Sequence, residues 1–230
     1  MRIIAIRENL VDYKSELKRT NRVSAIWEIH QNFNKYWNLS SDSPSAMYEQ
    51  SLHSQISRAF WVGNNYLPKE MMSEFLKLQP EMAVQAFREL FDEDKDLIQR
   101  LDKFIFYCDQ LLELYKKSKP GAIENNHFHD YRILSIYLCL KYPGRYVPYR
   151  FKWLQGVCKV FEARPYPEVE DPERYFKIAR IAHRFMQEDE DLKSSYTTAL
   201  EKSGLNFDEP FDTLFPAAEF CAYCSGETMP

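Results

Sequence analysis

His129 and Asp130, the adjacent pair that closes the stretch HFHD (His127 to Asp130), are side chains that can hold a divalent metal ion and let it activate a water molecule. Such a site needs another imidazole and another carboxylate from elsewhere in the chain. His30, His53 and His183 are available, and no spacing singles one out. A plainer role competes. Asp130 stands just ahead of an apolar helical run, where a short carboxylate caps the first backbone N–H groups. Cys221 and Cys224, in CAYC, have zinc-ligand spacing, but no second C-x-x-C supplies the other two ligands, so buried thiols are expected.

A third stretch offers binding rather than catalysis. Tyr131 to Phe161 contains six cations and eight aromatic residues with no Asp or Glu, in a chain of net charge −4. Its first part, Ile133 to Leu140, is apolar almost all round and reads as a buried helix. Its second part follows the bend PGRYVPY. There Phe151, Leu154, Cys158 and Phe161 share one helix face, while Lys152, Gln155 and Lys159 share another. Two readings fit: tyrosines packed in a core beneath solvated cations, or a surface that meets nucleic acid. In the second, Arg145, Arg150, Lys152 and Lys159 contact phosphates and Trp153 stacks on a base.

Other chemistry lacks its motif. None of the six glycines is followed by Lys, so there is no phosphate loop of the G-x-x-x-x-G-K-[ST] type, and neither G-x-G-x-x-G nor G-x-S-x-G occurs. No catalytic residue, metal or cofactor is therefore assigned. Glu188 to Asp191, EDED, reads as a solvated loop whose carboxylates favour the next helix N-terminus.

The elements that carry these residues are helices. The stripe Leu97, Leu101, Phe104, Ile105, Cys108, Leu111, Leu112 and Tyr115 predicts one helix, with Asp92, Asp94 and Asp96 near its start and Pro120-Gly121 at its stop. Val23, Trp27, Phe33 and Trp37 predict another over 22–37. Tyr48, Leu52, Ile56 and Phe60 step by four. Further helices are expected after Pro80, over 131–142 and 149–161, after Pro172, from Leu192 to a C′ glycine at Gly204, and from Phe211 to Cys221. The fold class is all-α, an irregular multi-helix domain of about nine or ten helices that can divide into two lobes. Residues 1–117 form the expected N-terminal lobe, 118–128 a linker, 129–224 a C-terminal lobe and 225–230 a tail.

Composition agrees with a globular chain: 45% hydrophobic, 15% aromatic. A sequence pI near 5.8 excludes a generally cationic nucleic-acid binder but not a local patch. Five cysteines without framework spacing suit a reducing compartment. The apolar run at the N-terminus is too short for a signal peptide, and no run approaches the ~18 residues of a membrane span. A soluble cytoplasmic protein is expected.

The blocks IWEIHQNFNKYW, NNYLPKEMMSEFLKLQPEMAVQAFRELFDEDKDLIQRLDKFI, HDYRILSIYLCLKYPGRYVPYRF and FDTLFPAAEFCAYC, in this order, resemble the helical region upstream of the AAA+ motor in many McrB-like restriction proteins. The similarity runs from about residue 10 to residue 224. It implies a prokaryotic anti-phage setting. There a nucleotide-hydrolysing motor, in cis or in trans, works with a partner endonuclease, and variable N-terminal regions recognise the target DNA. The chain reaches Pro230 about where such a motor would begin, so an N-terminal piece or a stand-alone relative is expected, without catalysis of its own. Its job would be recognition or adaptation, with DNA as a partner and no membrane. A second reading is a protein-interaction domain for motor assembly or nuclease docking, using Trp61 or Tyr66. The His129-Asp130 pair also resembles the HD-type metal phosphohydrolases, a third reading.

Overall fold

The computed structural model describes residues 1–54, 58–61, 66–121 and 126–230, without the side chains of residues 58 and 59. The described residues form twelve α-helices and one 3-10 turn, with no strand. The all-α expectation holds. The count exceeds the expected nine or ten because two helices have no counterpart in the expected series and one expected stripe is broken. Helix α1 (Ile3–Thr20) buries Ile6, Leu10, Tyr13 and Leu17, a stripe at steps of 4, 3 and 4. Helix α5 (Pro68–Leu78) buries Met71, Met72, Phe75 and Leu76. The stripe from Tyr48 to Phe60 is not one helix: α3 (Pro44–Ser51) stops at Leu52, and Phe60 belongs to the single turn α4 (Arg58–Trp61). Ile56 lies outside the described residues.

Contacts divide the chain into two compact units, Met1–Trp27 with Tyr142–Pro230, and Glu28–Lys141. These are not the expected lobes 1–117 and 129–224. Apolar stripes say that a helix has a buried side, not which helix it meets. Residues 122–125 of the expected linker lie outside the described residues.

The Glu28–Lys141 unit holds most of α2 (Ile26–Tyr36), then α3 to α5, α6 (Pro80–Leu90), α7 (Leu97–Ser118) and α8 (Tyr131–Lys141). Proline opens α5 and α6 at their first turns, where its missing N–H costs nothing. Asp96 caps α7 by accepting from the backbone N–H of Gln99 at 3.1 Å. Helix α8 is buried from Ile133 to Leu140, as its all-round apolar sequence requires. Its Tyr137 meets Phe87 at 5.1 Å, Phe104 at 6.0 Å and Tyr48 at 6.2 Å between ring centroids. Each such ring contributes about 2–3 kcal/mol by leaving water.

The other unit repeats the plan around α12 (Phe215–Cys224). Every residue from Phe215 to Ala222 is buried, against α1, α9 (Phe151–Val160) and α10 (Pro172–Gln187). Asp171 caps α10 and Asp189 caps α11 (Glu190–Lys202), so EDED is no simple solvated loop. Lys14 of α1 reaches Asp189 at 2.9 Å and Asp191 at 3.3 Å, and Lys18 reaches Asp191 at 2.9 Å. Gly204 has φ 75°, the left-handed C′ conformation expected of it. The expected last helix from Phe211 begins later, because Pro210–Asp212 form a 3-10 turn. The expected tail, 225–230, is packed: Met229 is buried and the Pro230 carbonyl accepts from the N–H of Ala25 at 2.9 Å. No helix among the described residues is long and apolar enough to cross a membrane.

Candidate functional site

Helix α9 presents the basic face expected of it, with one major correction. Trp153 is fully buried, so its indole cannot stack on a base. Its Nε1–H donates to Glu227 Oε2 at 2.7 Å. Arg150 lies over the same ring, its guanidinium carbon 4.9 Å from the centroid, and pairs with Glu227 at 3.7 Å. Glu227 therefore occupies two of the five residues expected to meet nucleic acid. The island is free of carboxylates in sequence, but the fold brings one in from 74 residues away.

Lys152 and Lys159 remain outward and exposed, and no ion pair reaches either among the described residues. Arg145 is exposed, with its carbonyl accepting from Arg180 Nη1 at 3.0 Å. An aromatic ring that the sequence reading missed stands beside Lys159. Tyr166 is 50% exposed, and with Gln155, Lys159 and Pro167 it lines a shallow depression of about 390 Å³. Its signal was the setting RPYPEVED, where flanking prolines leave no helical stripe to bury the ring. The aromatics expected to be exposed elsewhere are not: Trp61 is buried, and half-buried Tyr66 donates to Asp130 Oδ1 at 3.0 Å beneath the Arg132 guanidinium.

The HFHD stretch resolves into two roles. Asp130 caps α8, its Oδ1 accepting from Ile133 N–H at 3.1 Å. His129 turns inward to 3% exposure. Burial holds its imidazole down to about 3, with His127 beside it adding to the effect, so it is neutral at physiological pH. Its Nδ1 lies 2.7 Å from the His127 carbonyl oxygen and donates to it, which fixes the tautomer. Its Nε2 lies 3.4 Å from the Tyr137 hydroxyl, which is 2.6 Å from that of Tyr48. His127 Nε2 lies 3.1 Å from Asp109 Oδ1, and His127 Nδ1 accepts from His129 N–H at 2.9 Å. Cys108 of α7 joins this group: one ligand atom from each of Cys108, His127 and His129 lies within 4.8 Å of the other two. Sequence reading placed Cys108 only in an apolar stripe, and a separation of 19 residues from His127 carries no pattern. The cluster does not draw on His30, His53 or His183. The pairing of His129 with Asp130 as metal ligands fails, because one faces the core and the other caps a helix.

Cys221 and Cys224 are both buried free thiols, and burial pushes Cys221 up to about 12 and Cys224 higher still. A cavity of about 410 Å³ is lined by residues including Tyr13, Leu17, Ser24, Tyr223, Met229 and Glu219. Glu219 is the single charged residue of α12, visible in FPAAEFCAYC and passed over there. Burial pushes its carboxyl up to about 7, against the pull of hydrogen bonds from Ser24 N–H (2.9 Å), Tyr196, Trp27 and Tyr13.

No protein-family model matches this chain, and no match was found among curated proteins or solved structures.

Proposed function

We propose that the chain is a non-catalytic recognition or adaptor domain that meets DNA through the outer face of α9, in a McrB-like setting with an AAA+ motor and a partner endonuclease. The observation that carries this reading is the line of Lys152, Gln155 and Lys159, exposed and continued by the exposed ring of Tyr166. Lysines neutralise phosphates, and a tyrosine face stacks on an unpaired base. Trp153 has no part in it, and Arg150 stays with Glu227.

The surviving patch is small, and that sets the expected strength. Two phosphate contacts give a log–log salt slope of about −1.5 to −2. The test is binding of single- and double-stranded DNA across a salt series. Lys152→Glu with Lys159→Glu should abolish the slope. Tyr166→Ala should weaken single-strand binding by about 1–3 kcal/mol and leave the slope unchanged. Salt-insensitive behaviour shared by wild type and the lysine variant removes the DNA role.

One observation favours the second reading, a protein-interaction domain. Ile4 and Val11 stand on one face of α1 at 62% and 59% exposure. Apolar side chains one above the other on a helix suit a partner helix. Size measurement of Ile4→Glu with Val11→Glu, alone and with a motor protein, separates the readings: docking lost with DNA binding intact assigns that face to a partner.

A further inference from the structure

We propose that Cys108, His127 and His129, joined by Asp109, form a structural site for a borderline-soft divalent metal ion, zinc foremost. The donors argue for the class of ion. One thiolate and two imidazoles suit zinc and are poor ligands for magnesium or calcium. The positions argue for a site rather than a chance meeting. Helix α7 presents Cys108 and Asp109 in succession, and the segment before α8 brings in His127 and His129. All three neutral donors are buried.

Two further observations point the same way. Phe128, between the histidines, holds φ 61°, a left-handed conformation unusual for a bulky residue and fixed by the Asn126 side chain accepting from its N–H at 2.7 Å. That bend lets two residues only two apart contribute to one cluster, and such local strain concentrates at functional sites. Second, His129 is already oriented as a metal ligand. Its Nδ1–H is tied to the His127 carbonyl, the outer bond that ligating imidazoles make, and this turns the Nε2 lone pair to the cluster, where a metal ion would displace only the long 3.4 Å contact with the Tyr137 hydroxyl. The hydrogen-bonded chain from Asp109 through His127, His129 and Tyr137 to Tyr48 makes no use of Cys108, whose thiol has no hydrogen bond among the described residues.

Geometry sets what binding must change. Tetrahedral zinc, with metal–sulfur near 2.3 Å and metal–nitrogen near 2.0 Å, places sulfur and nitrogen about 3.6 Å apart. Donor atoms within 4.8 Å need to close by roughly 1 Å, within reach of side-chain rotation. Both ring nitrogens of His127 are engaged, so the ion exchanges for one contact. The Asp109 contact is the cheaper to give up, because that carboxylate is 60% exposed and its oxygen can then complete the coordination. Cys108 loses its thiol proton to solvent as the metal–sulfur bond forms. The ion would tie α7 to the segment that starts α8.

The experiment strips the full chain with chelator and titrates it with cobalt(II), a spectroscopic substitute for zinc, then with zinc in competition. Wild type should take up a single equivalent, with a near-ultraviolet sulfur-to-cobalt band and intense tetrahedral visible bands. Cys108→Ser should lose the sulfur band. Asp109→Ala, at a side chain that is 60% exposed, should weaken affinity by roughly 10-fold or more. Failure of wild type to take up either ion overturns the site. So does uptake unchanged in both variants, which would place the metal elsewhere.

Discussion

The indole N–H of Trp153 donates to Glu227 Oε2 at 2.7 Å, fastening the interior of α9 to the turn that follows α12. The same oxygen faces Arg150 at 3.7 Å. Removing the carboxylate leaves a buried donor without its acceptor, and that desolvation loss dominates over the partly exposed ion pair. Glu227→Ala should cost about 1–3 kcal/mol in urea unfolding, with an unchanged m-value. Glu227→Gln keeps an acceptor and should cost less. Equal stability of Glu227→Ala and wild type would mean that the bond contributes nothing.

Gly156 allows α9 to lie directly on the end of α12. A methyl group there would stand 2.4 Å from Ser225 Cβ and 2.6 Å from its Cα. Helix propensity alone favours alanine over glycine by about 1 kcal/mol. The overlap is with backbone, which cannot swing aside, so packing wins. Gly156→Ala should lower stability by about 1–3 kcal/mol. Adding Ser225→Gly removes the Cβ overlap but not the Cα one, and should recover part of the loss. A thermal melt in which Gly156→Ala gains stability would show that the helices separate freely.

Much of this was legible in the chain. Helices α7, α8, α9 and α10 follow from apolar steps of three and four, and the Asp130 cap follows from a carboxylate one residue ahead of such a run. Helix α1 was equally legible, since Ile6, Leu10, Tyr13 and Leu17 make the same pattern. What periodicity lacks is partners. Trp153 stands one residue from Leu154, about 100° round the helix from the stripe. Nothing local says that a carboxylate far along the chain will cover it. Cys108 looked like one more apolar position because its neighbours His127 and His129 arrive through a bend at Phe128, and the left-handed φ there leaves no mark on residue type. The division into units was hidden for the same reason: α1 belongs with α10, α11 and α12, a pairing between the two ends of the sequence.

Glu219 gives the chain a stability term that runs against the usual carboxylate behaviour. Its folded-state value, about 7, lies above the ordinary 4.5, so between those values the folded chain holds a proton that the unfolded chain has released. Stability from this group is present at low pH and is lost as pH rises through that window, by up to about 3 kcal/mol. His129 works in the opposite sense. Its imidazole is held near 3, below the ordinary 6.5, so its contribution is present above that ordinary value and lost as pH falls. The wild-type profile mixes the two, and a variant separates them. Glu219→Gln keeps an acceptor for the Ser24 N–H and cannot ionise. Relative to wild type it should gain stability from pH 5 to about pH 7 and level off by pH 8, read as several degrees in Tm. A difference that stays flat across that range would mean that Glu219 ionises as freely in its cavity as in water.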